Sequence, residues 1–164
     1  PLIFGAGRFS LEVFISLLLC IFNYKKKIRL NHFLRYFIAG FVGIFLYNLF
    51  LNYGQQNVSA GASSFIVNCN PLFTVLIGFL ILKQKVSFIH WSCVFFCLLG
   101  VCIISIDQEG GLEFGSGSTL ILFAAILTAI YFHILKPLVL TYGAITSAAY
   151  TILFGTLPMI FWFP

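Results

Sequence analysis

SAGASSFIVNCNPLFTVLIGFLILKQKVS, residues Ser59–Ser87, holds a long apolar run and an interruption inside it. Six small or polar residues, Ser59, Ala60, Gly61, Ala62, Ser63 and Ser64, lead into Phe65–Leu82, and Lys83 ends the run. With its flanks the run approaches the roughly 20 apolar residues that cross a bilayer's hydrocarbon core. Asn68, Asn70 and Pro71 sit within it. Pro71 has no N–H, so the Val67 carbonyl, four residues back, is expected to lose its helical partner. In hydrocarbon that carbonyl must be satisfied by protein or by a wet cavity. Two carboxamides beside the gap suit a segment that lines a cavity. The other reading is a proline-kinked helix whose asparagines bond to neighbouring helices.

The rest of the chain places this run among others like it. Of 164 residues, 61 % are hydrophobic and 8 % charged, with a mean hydropathy of +1.08. A soluble domain carries about 25 % charged residues, so the fold class is all-α, a polytopic membrane bundle of about six transmembrane helices in contact with the lipid bilayer. The net charge of +5 does not point to nucleic acid, because the basic residues are confined to loops and serve as topology signals. Cys20, Cys69, Cys93, Cys97 and Cys102 all fall in apolar spans and read as small buried side chains. The chain opens on Pro1 rather than Met and is expected to lack its start.

In order, helices are expected at about Leu2–Phe22, His32–Tyr53, Phe65–Leu82, Phe88–Ile106 with Ser87 as N-cap, Ser118–Leu135 closed by Lys136 and Pro137, and Ala144–Phe163. If the loop holding Lys25–Lys27 and Arg29 is cytoplasmic, Arg35, Lys83, Lys85 and Lys136 fall inside too, and Asp107, Glu109 and Glu113 fall outside. The positive-inside rule then sets the orientation. Arg8, the remaining basic residue, lies in a span.

Four features in order carry a resemblance: Gly7-Arg8-Phe9; Asn57-Val58-Ser59-Ala60-Gly61-Ala62; Asn68-Cys69-Asn70-Pro71-Leu72-Phe73-Thr74; and Trp91 followed by Leu99-Gly100-Val101-Cys102-Ile103-Ile104. A fifth is Gly110-Gly111 and Gly115, then an apolar helix with Thr128, Ala129 and Tyr131. Together they resemble the EamA-type exporters of the drug/metabolite transporter superfamily, built from ten helices in two inverted five-helix repeats. The resemblance implies that residues 1–106 are helices two to five of the first repeat, 107–117 an outside linker, and 118–164 the first two helices of the second. It implies export of a small-molecule solute, metabolite or drug, by alternating access with a coupling proton or ion, from a multi-pass site in the bacterial inner membrane. Inverted repeats around a mid-membrane site are a common transporter plan. No internal repeat is evident in the sequence itself; Tyr150 stands where an echo of Arg8 would fall. A non-transporting remnant or assembly partner from a truncated gene is the alternative.

The candidate cavity residues are Arg8, Glu12, Tyr47, Asn48, Asn68, Asn70, Pro71, Thr128 and Tyr131. Gly5, Arg8, Glu12 and Ser16 recur at three- and four-residue steps and share a helix face. A charge at the bilayer centre costs roughly 2.5–3.5 kcal/mol on insertion scales, so Arg8 and Glu12 either pair structurally or face the cavity, with Glu12 as proton carrier. Asn48 and Asn52 are four apart, beside Tyr47, and read as cavity lining or as interhelical hydrogen bonding. His90, Cys93 and Cys97 share a face, yet His90 is at the membrane edge and no second ligand pair exists, so no metal site is expected. No nucleophile elbow, Walker loop, paired carboxylates or zinc helix appears, so neither an enzyme nor a cofactor is expected. Thr128, Tyr131 and Tyr150 are expected to meet lipid or a second copy of the chain, through self-association.

Overall fold

The computed structural model describes residues 2–22, 29–80, 83, 87–92, 94–96, 99 and 116–162. All regular secondary structure among them is helical. Helix α1 is Leu2–Phe22 and α2 is Leu30–Gly40. A π-helical stretch, Phe41–Leu46, carries α2 into α3, Tyr47–Gly54. Then come α4, Ala60–Asn68; α5, Asn70–Leu80; α6, Ser116–Tyr142; and α7, Ala144–Trp162. Residues 88–92 and 94–96 are helical as well. Among the described residues, three stretches are long and apolar enough to cross a membrane, His32–Gly54, Ala60–Leu80 and Ser116–Tyr142, and Leu11–Ile21 and Ala144–Met159 are shorter apolar helices.

The outward surface is apolar. Phe14 is 65 % exposed, Ile21 73 % and Leu140 80 %. In water each exposed Å² of such surface forfeits about 25 cal/mol, whereas lipid tails solvate it. Helices apolar on their outer faces belong in a membrane.

Three boundaries differ from the sequence expectation. Ala60–Ser64 is already helix, because the Ser59 hydroxyl accepts the Ala62 N–H at 3.3 Å and caps α4 five residues before the apolar run starts. The α6 helix starts at Ser116 and does not stop at Lys136-Pro137 but runs to Tyr142. A proline inside a helix removes one hydrogen bond; here Leu135, Leu138 and Tyr142 bury themselves beside Tyr36, and that burial carries the helix through. It ends at Gly143, whose φ of +92° is a left-handed conformation that glycine adopts without a Cβ penalty. Third, the Ala60–Leu80 span is interrupted at one residue, Cys69, whose backbone stays right-handed (φ −76°, ψ −2°), so the stretch remains one membrane span with a local irregularity just before Pro71.

The chain divides into two compact units, Pro1–Leu46 with Tyr131–Pro164, and Tyr47–Ile130. In the first, α7 packs on α1, on α2 and on the π stretch. Helices α2 and α7 run parallel, since Tyr36 meets Ser147, Gly40 meets Gly155 and Phe45 clusters with Met159. A Cβ on Gly40 would stand 2.5 Å from the Thr151 carbonyl oxygen and 2.8 Å from the Gly155 nitrogen, so backbone meets backbone only because no side chain intervenes. In the second unit Val58, Ala62, Ile66 and Ile121 form the core, with Leu51, Phe65 and Val67 against it. Phe50 lies 6.5 Å from Phe123.

Candidate functional site

The interruption at Cys69 is the feature around which candidate residues gather. The Cys69 N–H bonds to the Ile66 carbonyl at 3.1 Å, and backbone N–H groups at this cap return to the carbonyls of Ile66 and Val67. The Val67 carbonyl is therefore satisfied within its own helix end, contrary to the open carbonyl expected from Pro71. A new helix begins at Asn70, with Pro71 in its first turn, where the missing N–H has no intrahelical partner to lose. The Leu72 and Phe73 N–H groups bond to the Cys69 carbonyl at 3.0 and 3.4 Å.

The two asparagines beside the break differ. Asn68 is exposed and donates from Nδ2 to the Ser64 carbonyl at 2.8 Å, one turn back on its own helix. Asn70 has its Oδ1 buried and without a hydrogen-bond partner. A buried acceptor left unmatched costs about 1–3 kcal/mol. Ser63 Oγ, on α4, is in the same state and was not singled out by the sequence reading. Its position ahead of the apolar run hid it; the Ser59 cap makes it helical and inward.

The other candidates are placed as follows. Thr128 is half-buried and donates to the Ala124 carbonyl at 3.1 Å. Tyr47 and Asn48 are half-buried, and each has a partner. In the first unit Tyr131 fills the space left by Gly43, whose Cβ would collide with its ring, and its hydroxyl lies near Thr151. Tyr150 stacks on Tyr36 with centroids 5.6 Å apart. Thr128, Tyr131 and Tyr150 thus each have a contact within the chain while staying half-buried. Glu12 is half-buried and engaged. The Arg8 side chain lies outside the described residues, as do Cys93 and Cys97, so neither the Arg8–Glu12 pair nor the His90 cluster is described. Among the described residues no group of three or more His, Cys, Asp and Glu is placed to hold a metal ion.

Comparison with known proteins bears on the same chain. The model of the EamA-like transporter family matches residues 1–106. The chain belongs to that family. It is 34 % identical over 128 residues to the uncharacterized transporter YdfC of Bacillus subtilis, covering 78 % of this chain and 42 % of that protein. An uncharacterized transporter of Archaeoglobus fulgidus is 23 % identical over 159 residues, 97 % of this chain and 56 % of its own length. A protein of Streptantibioticus cattleyicolor named "Probable terminal-alkyne amino-acid exporter" is 25 % identical over 119 residues, 73 % of this chain and 40 % of that one. This EamA-family chain therefore spans about half the length of the curated relatives it matches. No solved structure matches it. Apolar helices and family together make it an integral multi-pass membrane protein of a non-enzymatic transporter family.

Proposed function

We propose that the chain is part of a secondary transporter that exports small metabolites or drugs by alternating access, with the break at Cys69 bordering the solute path. Family membership supports the transport class. The observation that carries the reading to this site is the helix interruption with Asn70 Oδ1 buried beside it and unmatched. Broken membrane helices recur at solute sites, because interrupted backbone and polar side chains are tolerated where they line a cavity. The Streptantibioticus cattleyicolor relative is named for an amino acid as cargo, so amino acids head the panel of solutes to try.

The test is efflux from cells preloaded with radiolabelled amino acids, using the full-length protein that carries this stretch. Asn70→Ala lowers the efflux rate while membrane abundance stays level. Efflux that falls only in step with the amount of folded protein assigns Asn70 to packing instead.

A further inference from the structure

Both buried, unpartnered side-chain polar atoms among the described residues, Ser63 Oγ and Asn70 Oδ1, lie on the α4–α5 segment. Ser63 is 1 % exposed. A hydroxyl in a membrane helix has a ready outlet, the carbonyl one turn back. Thr74, Thr128, Thr151 and Thr156 all take it, donating to the carbonyls of Asn70, Ala124, Ser147 and Ile152. Ser63 has the Ser59 carbonyl in the same position, and that carbonyl receives the Ser63 backbone N–H at 2.9 Å but not its hydroxyl. Asn70 also has a local outlet, as a cap on the first turn of α5. The Leu72 and Phe73 N–H groups go to the Cys69 carbonyl instead, and Pro71 has none to offer.

Two local uses are thus open to these side chains and neither is taken. The chemistry of what would match them is restricted. A carboxamide oxygen only accepts, and a hydroxyl accepts or donates. No Lys, Arg, Asp or Glu lies between Arg35 and Lys83 in the sequence, so an anion finds no counter-charge on this segment. We propose that Ser63 and Asn70, seven positions apart on this segment, each offer a subsite to a hydrogen-bond donor, an N–H or O–H group, brought either by trapped water or by the amine or hydroxyl of the exported solute. The solute source rests on the exporter reading above; the water source does not.

Thermal unfolding of the whole chain in detergent separates the cases, on wild type, Ser63→Ala and Asn70→Leu, each with and without ethanolamine, and with propionate as a probe lacking donors. With trapped water, each variant unfolds roughly 2–4 °C lower without additive, the shift that about one hydrogen bond produces in a chain of this size. With a solute donor, the variants unfold at or above the wild-type temperature without additive, because each removes a polar atom that the empty site leaves unmatched, ethanolamine raises the wild-type temperature saturably, propionate does not, and the variants lose the response. Variants at least as stable as wild type, with no ethanolamine response or one they share with wild type, overturn the subsite. Ser63→Ala removes a single oxygen, so it keeps the test decisive if Asn70→Leu fails to fold. Efflux measured in parallel keeps the two readings apart. Wild-type efflux in Ser63→Ala alongside the overturning pattern discards the subsite and leaves the exporter standing. A wild type without efflux discards the exporter, and the unfolding temperatures alone then decide for or against water.

Discussion

The hydroxyls of Tyr36 and Ser147 lie 3.0 Å apart, both fully buried, and tie α2 to α7 across 111 residues of sequence. Burial shields both partners from solvent. Tyr36→Phe or Ser147→Ala alone is expected to cost about 1–2 kcal/mol, because each leaves one buried hydroxyl without this bond. The double variant is expected to cost little more than one single. Unfolding in mixed micelles gives the coupling directly, about 1 kcal/mol in a double-mutant cycle. Strictly additive singles would remove the bond as a source of stability.

Gly40 and Gly143 should respond to alanine for different reasons. At Gly40 the new methyl meets the Thr151 carbonyl and the Gly155 nitrogen, backbone atoms that cannot swing away. A loss of about 1–3 kcal/mol is expected, with α2 and α7 forced apart. At Gly143 there is open space, and the strain comes from the φ of +92° alone. Alanine there is expected to cost about 1–2 kcal/mol, and asparagine less. Equal losses for Gly143→Ala and Gly143→Asn would show that the left-handed conformation is not what that glycine supplies.

Much of this fold was legible because apolar runs have little choice. The α1 limits, Leu2–Phe22, follow from the run alone. The end of α6 was not legible, since Lys136-Pro137 has the look of a stop and the contacts that override it, Leu138 and Tyr142 beside Tyr36, join residues about a hundred positions apart. The π stretch Phe41–Leu46 carries no signature in its residue types. At the candidate site the sequence marked Asn68, Asn70 and Pro71 as a group. Only geometry separates Asn68, bonded to its own helix, from Asn70, left unmatched, because both are the same residue in the same apolar run.

Orientation is open to labelling. The Arg29 N–H donates to the Tyr142 hydroxyl at 3.3 Å and His32 Nδ1 lies 2.8 Å from it, so the Arg29 end of α2 and the Lys136–Tyr142 end of α6 sit together. By the positive-inside rule that end is expected to be cytoplasmic. Single cysteines at Arg29, Lys83 and Lys136 are expected to resist a membrane-impermeant thiol reagent in intact cells, and cysteines at Gln56 and Ser116 to react. The reverse pattern would invert the orientation.

Glu12 is the one carboxylate within α1, half-buried and engaged. If it pairs structurally with Arg8, removing either partner strands the other and costs about 3–5 kcal/mol, while removing both is milder. If it carries the coupling proton, Glu12→Gln abolishes the pH dependence of efflux at normal protein levels. A cycle of Arg8→Ala and Glu12→Gln, scored for unfolding and for efflux against pH, is expected to show strong coupling in stability and an unchanged pH profile, the pattern of a structural pair. A flat pH profile in Glu12→Gln alone would assign it the proton.

Pro71→Ala tests whether the break at Cys69 is imposed by the proline or merely tolerates it. With alanine, residue 71 gains an N–H that can reach the Val67 carbonyl, and the ring that would clash with that carbonyl is gone. The cap bonds now returning to Ile66 and Val67 would give way to ordinary helical ones. The number of backbone bonds changes little, so the expected change in stability is small or slightly favourable. The shape changes more. A spin-label pair replacing Ser64 and Phe79, outward positions on either side of the break, should move to the separation of one continuous helix, about 1.5 Å per residue. Asn70 would then sit mid-helix with its oxygen redirected. Efflux is expected to fall although the protein is at least as stable, which separates a break kept for transport from one kept for packing. An unchanged spin-label distance would place the origin of the break in Cys69 and its cap, and efflux should then be unaffected.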